Sequence, residues 1–175
     1  RDKNIKAELE IAKKEVLTTE IKTALAVIDG PENIENNNIF TVKNNNGEIL
    51  AYIIEFTAKG FAGDIKLIAG IDAKKITVTG LKPITHSETP GLGAKITEVN
   101  ELMSKKIQEK NKNRKIDFNK PWFCEQYKDL PVEKIKLAKD GGEIDAITAS
   151  TITSRAVTDA LASVIISLKK NKNLN

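Results

Sequence analysis

One run of residues decides how this chain folds: Asp145-Ala146-Ile147-Thr148-Ala149-Ser150-Thr151-Ile152-Thr153-Ser154-Arg155-Ala156-Val157-Thr158-Asp159-Ala160-Leu161. Small hydroxyl residues crowd one turn, and apolar residues then recur at the helical spacing i, i+4, i+7, i+8 and i+11: Val157, Leu161, Val164, Ile165 and Leu168. This pattern predicts a helix that starts near the hydroxyl residues and ends at about Leu168. The start of a helix exposes backbone N–H groups and a partial positive charge, so it is suited to bind a phosphate.

The hydroxyl residues at this helix start also have an ordinary explanation. Ser and Thr cap helices because their side-chain oxygens accept hydrogen bonds from the free N–H groups. One or two hydroxyls suffice for capping, whereas this turn has five: Thr148, Ser150, Thr151, Thr153 and Ser154. The residues alone leave capping and phosphate binding both open.

Three further stretches have unusual composition. His86-Ser87-Glu88-Thr89-Pro90-Gly91-Leu92-Gly93-Ala94-Lys95-Ile96 combines a Pro-Gly turn with a second glycine that permits close backbone approach. Lys59-Gly60-Phe61-Ala62-Gly63-Asp64-Ile65 is a glycine-flanked aromatic segment, and Trp122-Phe123-Cys124-Glu125-Gln126-Tyr127 is rich in aromatic residues. By composition the last stretch either belongs to the core or walls a ligand, since aromatic side chains serve both purposes.

Together the four stretches resemble a known family. Asp145-x-x-Thr148-Ala149-Ser150-Thr151 is similar to the flavinylation motif Asp-x-x-Ser/Thr-Gly-Ala-Thr of the FMN-binding domain. That domain is shared by the G subunit of Rnf electron-transport complexes and the C subunit of sodium-translocating NADH:quinone reductases. The other stretches resemble family segments in family order, and the His-x-Glu-Thr-Pro-Gly-Leu-Gly form favours the Rnf G subunit. Ala149 and Ser150 depart from the usual Gly and Ala, and a methyl group at 149 disfavours a positive φ.

The resemblance implies a site and a cofactor. FMN is expected to be joined covalently to Thr151 through a phosphoester, with Thr153 as the nearby alternative acceptor. Residues expected to contact the phosphate with the helix N–H groups are Thr148, Ser150 and Thr153, and those expected near the flavin ring are Glu88, Thr89, Gly91, Leu92 and Gly93. Arg155 either adds positive charge near the phosphate or is solvated. Asp145 either is recognised by the enzyme that attaches the flavin or shapes the turn.

The resemblance also implies partners and a location. A flavin transferase that uses FAD is expected to attach the FMN, and the other subunits of a membrane Rnf complex are expected to be partners. The domain is expected on the extracytoplasmic side of the cell membrane, held by an N-terminal membrane helix that this sequence lacks. Electron transfer is expected without independent catalytic activity, so no catalytic residues are assigned.

The composition excludes several other functions. A net charge of +4 with scattered lysines and no aromatic-interleaved basic patch argues against a nucleic-acid partner. His86 is the only histidine and Cys124 the only cysteine, which excludes a His-based metal cluster and an internal disulfide. No metal site is therefore expected. The sequence also contains no run of about 20 apolar residues, so it predicts no membrane span.

The order of predicted elements indicates an α+β fold, with an antiparallel sheet in the middle of the chain and helices at both ends. Its 175 residues suit one domain of one or two lobes. We predict helices over 3–17, 18–28 (ending at Asp29-Gly30-Pro31), 96–107 and 151–168, and strands over 39–42, 49–56, 64–71, 76–81 and 134–138. The chain divides into an N-terminal helical segment (1–30), the FMN-binding domain (31–170) and a polar tail (171–175).

Three alternative functions stay open at this point. One is the C subunit of the quinone reductase, or another flavinylated redox domain of the cell envelope. Another is a non-catalytic module that binds a phosphate ligand reversibly, and the third is a structural or adhesive domain. Retention of flavin on the denatured chain separates the first from the other two.

Overall fold

The computed structural model describes residues 2–24 and 26–175 of the chain. Within them lies one five-stranded antiparallel sheet in the order β1-β2-β3-β4-β5, so each strand pairs with its neighbour in sequence. The strands are β1 (Val27–Ile34), β2 (Asn37–Lys43), β3 (Ile49–Lys59), β4 (Asp64–Asp72) and β5 (Val78–Thr85). Helices precede and follow this sheet, which confirms the predicted α+β class.

The helices differ greatly in length. They are α1 (Asp2–Glu15), α2 (Thr19–Thr23), α3 (Glu101–Lys110), α4 (Trp122–Glu125) and α5 (Thr151–Asn171), with 3-10 helices at Gly93–Thr97, Val132–Lys134 and Ala138–Asp140. Among the described residues, α5 is the one helix long and apolar enough to cross a membrane by length and composition. Its residues Val157, Leu161 and Leu168 are buried in the larger core cluster, so here it serves as a core helix.

Both faces of the sheet are covered, and the alternation of side chains along β3 divides the core in two. Tyr52, Ile54 and Phe56 belong to the larger cluster, which includes the apolar face of α5. Ala51 and Ile53 belong to the smaller cluster, which includes residues of α1 and α2. The long apolar run of β3 is explained by burial on both faces.

The end of α1 docks onto β4 and β5 at two glycines. A Cβ atom on Gly70 would lie 2.4 Å from the carbonyl oxygen of Val16, and one on Gly80 would lie 2.8 Å from the Val16 Cα. The buried Thr79 hydroxyl donates a hydrogen bond to the same Val16 carbonyl at 2.5 Å. Side chains at either glycine position would exclude the N-terminal segment from this face.

Three predicted elements differ from the structure. The second helix ends at Thr23, and residues 27–34 form β1, which has one neighbour and a largely exposed surface. An edge strand of that kind shows little apolar alternation, and its register shifts between Asp29 and Glu32. β1 also runs across residue 30, where we place the boundary of the N-terminal segment; the division into segments stays a prediction.

The predicted strand over 134–138 is the second error. Val132–Lys134 form a 3-10 helix, and Leu137 makes only an isolated bridge with Ile144. Ile135 and Leu137 are buried while Lys134 and Lys136 are exposed, so an irregular segment reproduces the alternation of a strand. The predicted helix over 96–107 is divided in two, because Asn100 caps α3 by accepting a hydrogen bond from Met103 N at 3.1 Å.

Candidate functional site

A cleft of about 400 Å³ lies at the start of α5. Three separate parts of the chain meet there: the turn between β3 and β4, the loop after β5, and the first residues of α5. The lining residues are Phe61, Glu88, Thr89, Leu92, Gly93, Ala149, Ser150, Thr151, Ile152 and Thr153. The volume is in the range of pockets that hold cofactors and other small molecules.

Glu88 joins the three parts of the cleft. Its carboxylate accepts hydrogen bonds from Phe61 N and Ala62 N, both at 2.8 Å, and from the Thr153 hydroxyl at 2.5 Å. Only 4% of Glu88 is exposed. Burial raises the pKa of this carboxyl group, but the hydrogen bonds from Thr153, Ala62 and Phe61 and the charge of His86 outweigh burial, so the pKa is lowered from its ordinary value.

Two glycines allow this close approach. A Cβ on Gly93 would lie 2.7 Å from Thr153 Oγ1 and 3.0 Å from Glu88 Cβ. A Cβ on Gly60 would lie 2.6 Å from Glu88 Oε1. Any larger residue at either position would push the carboxylate away from its donors.

The turn before α5 is held by Ser154. Its buried hydroxyl donates to the Ser150 carbonyl at 2.8 Å and accepts from Ile147 N at 2.9 Å. Ala149 has a φ of 62°, a left-handed conformation that glycine adopts freely and that costs alanine about 1 kcal/mol. The conformation explains why glycine is usual there in the resembled motif.

The first turn of α5 has no side-chain cap. Ser150 is the residue before the helix, but its side chain makes no capping hydrogen bond. Thr151 begins the helix and is partly exposed at the cleft, whereas only 2% of Thr153 is exposed and its hydroxyl donates to Glu88. Backbone N–H groups at the cleft are therefore available to an anion, as in other helix-terminal phosphate sites.

The cation near Thr151 is Lys139, not Arg155. Arg155 is neither at the cleft nor simply solvated, because it forms two hydrogen bonds with the Asp140 carboxylate at 2.9 and 3.0 Å. Each partner shifts the other, lowering the pKa of Asp140 and raising that of Arg155. Lys139 Nζ instead lies 3.5 Å from Thr151 Oγ1.

Most of the predicted site residues are brought together in the cleft: Thr151, Ser150, Thr153, Glu88, Thr89, Leu92 and Gly93. Gly91 lies in the adjacent turn with a φ of 77° and does not line the cleft. Thr148 lines a neighbouring open groove with Asp145, Lys139 and Thr151, so Thr151 borders both spaces.

Several residues of the cleft escape the sequence analysis. Phe61 and Ile152 are 71% and 59% exposed at its rim, and Ala149 lies beside them. The available sequence signal for Phe61 was a phenylalanine between two glycines, and no local pattern marks Lys139. The aromatic stretch belongs to the core, since Trp122 and Phe123 are buried and Trp122 Nε1 donates to Glu98 at 2.8 Å.

Other candidate functional groups are also structural. Cys124 is buried, which raises the pKa of its thiol, and His86 Nδ1 accepts a hydrogen bond from Glu88 N at 3.1 Å. Across residues 2–24 and 26–175, no group of three or more His, Cys, Asp or Glu side chains is arranged to hold a metal ion.

The match to known families covers all three parts of the cleft. The model of the FMN-binding domain family matches residues 60–166, which include every residue that lines the cleft. The chain belongs to the FMN-binding domain family.

Two relatives of this FMN-binding domain are named as parts of ion-translocating complexes. The chain is 40% identical over 119 residues to the G subunit of the ion-translocating oxidoreductase complex of Methanosarcina acetivorans, a match that covers 68% of this chain and 52% of the relative. It is 33% identical over 133 residues to the G subunit of the Na(+)-translocating ferredoxin:NAD(+) oxidoreductase complex of Acetobacterium woodii, with 74% and 53% covered. The chain therefore spans about half the length of the curated relatives it matches.

A solved structure has a related fold. The C subunit of Na(+)-translocating NADH-quinone reductase from Parabacteroides distasonis superposes with a TM-score of 0.50 at 23% identity. The match covers 77% of this chain and 61% of that chain. At this identity the likeness concerns the fold alone, and it agrees with the α+β class of the FMN-binding domain.

FMN is the cofactor that membership in this family supports, and the cleft suits its two ends. The start of α5 offers N–H groups and Lys139 near a phosphate position at Thr151. Phe61, Leu92 and Ile152 supply exposed apolar surface on the same cleft. A polar terminus beside an apolar wall is the arrangement that a flavin nucleotide requires.

Proposed function

We propose that this chain is the FMN-bearing domain of the G subunit of an ion-translocating ferredoxin:NAD oxidoreductase (Rnf) complex. The domain carries electrons on FMN joined to Thr151 by a phosphoester. The position of Thr151 supports this most directly, because it begins α5, borders the cleft and lies at a helix start without a side-chain cap. The names of the relatives support the same complex.

Each side chain of the cleft has a role in this proposal. Thr151 is the attachment point, and Ser150 with the first N–H groups of α5 contacts the phosphate oxygens. Thr153 holds Glu88 rather than the phosphate, because its single proton is already donated. The exposed side chains of Phe61 and Ile152 and the segment from Glu88 to Gly93 line the cleft and would hold the flavin ring.

The attachment reaction needs a second enzyme. A flavin transferase cleaves the phosphoanhydride bond of FAD while Thr151 Oγ1 bonds to the phosphorus of the FMN half. The hydroxyl proton leaves with AMP, so the products are AMP and the Thr151 phosphoester. Asp145 and Thr148 line the open groove on the outer side of Thr151, which favours recognition by this transferase over contact with the flavin.

The bound FMN supplies the electron-transfer chemistry, and the chain supplies attachment and environment. A covalent bond prevents loss of the flavin on the extracytoplasmic side of the membrane, where free FMN is dilute. We place the domain on that side as a partner of the other Rnf subunits.

The test is the intact mass of the protein after co-expression with a flavin transferase. The wild-type mass should rise by one FMN less one water, and Thr151→Ser should retain the increase because it keeps a hydroxyl. Thr151→Ala should abolish it. Thr57→Ala, which removes an exposed threonine on β3, should behave as wild type. An unmodified wild-type chain, or a flavin that stays on Thr151→Ala, would refute the proposal.

One alternative is a role as the C subunit of the quinone reductase. The fold match to that subunit concerns the fold alone, so it does not separate the two complexes. The genes beside this one distinguish the two complexes. Release of flavin on denaturation would instead favour a module that binds a phosphate ligand reversibly.

A further inference from the structure

The cleft has a single source of formal charge. Of the residues that line it, Glu88 alone is ionisable at neutral pH, and the others are apolar residues, glycine, serine or threonine. Lys139 lies in the neighbouring groove, Arg155 is paired with Asp140, and His86, whose charge is the smallest of the contributions that lower the pKa of Glu88, does not line the cleft. The cleft therefore holds one carboxylate without a cation in its lining.

Neutral donors keep this carboxylate ionised. Phe61 N and Ala62 N donate to its two oxygens at 2.8 Å, and Thr153 donates at 2.5 Å. Hydrogen bonds from neutral groups stabilise an anion without cancelling its charge. Since only 4% of Glu88 is exposed, solvent and salt screen this charge weakly.

We propose that the charge of the Glu88 carboxylate lowers the reduction potential of the flavin in this cleft. This inference rests on the proposed function, since it needs FMN on Thr151. Reduction adds negative charge to the ring system. A fixed carboxylate in an apolar cleft raises the free energy of that added charge, so the oxidised form is favoured and the potential falls.

The chain provides a control for the loss of a buried carboxylate outside the cleft. Glu125 is also 4% exposed; its carboxylate accepts a backbone hydrogen bond from Asp117 N at 2.7 Å and, unlike Glu88, forms an ion pair with a lysine, Lys128, at 3.1 Å. It lines a different cavity, formed by α4, β5 and the end of α1. Glu88→Gln and Glu125→Gln each remove one buried charge, but only the first removes it from the cleft.

The experiment compares midpoint potentials of the flavin-loaded proteins in dithionite titrations with reference dyes. Dithionite is oxidised to sulfite and gives two electrons to the flavin, which takes up one proton from water with them, so the reduced ring has one negative charge more than the oxidised ring. We expect a higher potential for Glu88→Gln than for wild type, and a wild-type potential for Glu125→Gln. The increase should persist at high salt, because the charge is buried.

A second variant covers the case in which Glu88→Gln does not fold. Thr153→Val keeps the two backbone donors that hold the carboxylate ionised, but it removes the hydroxyl dipole whose positive end offsets part of the field of the carboxylate, so the potential should fall. Equal potentials for wild type and Glu88→Gln, or a potential for Thr153→Val at or above that of wild type, would overturn the inference while leaving attachment at Thr151 intact. A wild-type chain without flavin overturns both proposals.

Discussion

Replacing two buried serines with alanine, one at a time, should change the stability of the protein in opposite directions. Ser154 Oγ makes two hydrogen bonds, whereas Ser104 Oγ has no partner among the residues that the structure describes. Both serines lie in helices and are fully buried. Replacing each with alanine therefore tests whether hydrogen bonding, rather than burial, decides the contribution of a hydroxyl to the free energy of unfolding.

The magnitudes come from these partners. Ser154→Ala leaves the buried Ile147 N–H without an acceptor, at a cost of about 1–3 kcal/mol. The better helix propensity of alanine returns roughly 0.5 kcal/mol, which leaves a destabilisation of about 1.5 kcal/mol. Ser104→Ala removes a buried hydroxyl that costs about 1–3 kcal/mol when unpaired, so the variant should gain about 1 kcal/mol or more.

Urea unfolding measures both changes. Trp122 is the only tryptophan and is buried, so its fluorescence reports the loss of the core, and far-UV circular dichroism gives an independent transition. With equal m-values, the shift in midpoint gives the change in stability. A destabilised Ser104→Ala, or a Ser154→Ala as stable as wild type, would refute the reasoning. Flavin attachment should also decline in Ser154→Ala, because Ser154 orders the turn that carries Thr151.

Two further predictions concern the cleft. Gly93→Ala should lose about 1–3 kcal/mol of stability and most of its flavin, because the new methyl group would collide with Thr153 Oγ1 at 2.7 Å. Urea unfolding measures the loss of stability, and intact mass measures the loss of flavin. A stable variant that is fully loaded with flavin would contradict the packing argument. The lowered pKa of Glu88 means that its contribution to stability is complete above the ordinary value of 4.5 and is lost as the pH falls through the lowered value in the folded state. Wild type should therefore lose more stability than Glu88→Gln between about pH 5 and pH 2, and parallel acid profiles of the urea midpoint would count against this role.

The absent helix cap connects stability with function. A serine that precedes a long helix usually accepts a hydrogen bond from its first turn, which stabilises the helix by about 1 kcal/mol. In this chain Ser150 makes no such bond, and the N–H groups of α5 stay available at the cleft. The helix thus forgoes a small local stabilisation at the one terminus where we place a phosphate.

The candidate site was predictable in part. Thr151, Glu88 and Gly93 lie in recognisable motifs, and the structure brings these motifs together. Phe61 also lies in a motif, but its place at the rim depends on hydrogen bonds to Glu88 from the turn that carries it. Lys139 depends on the 3-10 helix Ala138–Asp140, which has no periodic pattern to reveal it.

The sequence by itself determined the antiparallel sheet, the terminal helices and the hydroxyl at the start of α5. These follow from periodicity, turn residues and motifs, which act over a few neighbouring positions. Only the tertiary structure decided that the Thr153 hydroxyl binds Glu88, that Arg155 pairs with Asp140, and that residues 27–34 form an edge strand. Partners far apart in sequence make those choices. The buried Thr153 hydroxyl takes the acceptor that packing brings within reach, and Asp140 and Arg155 meet only because the 3-10 helix Ala138–Asp140 lies beside the start of α5.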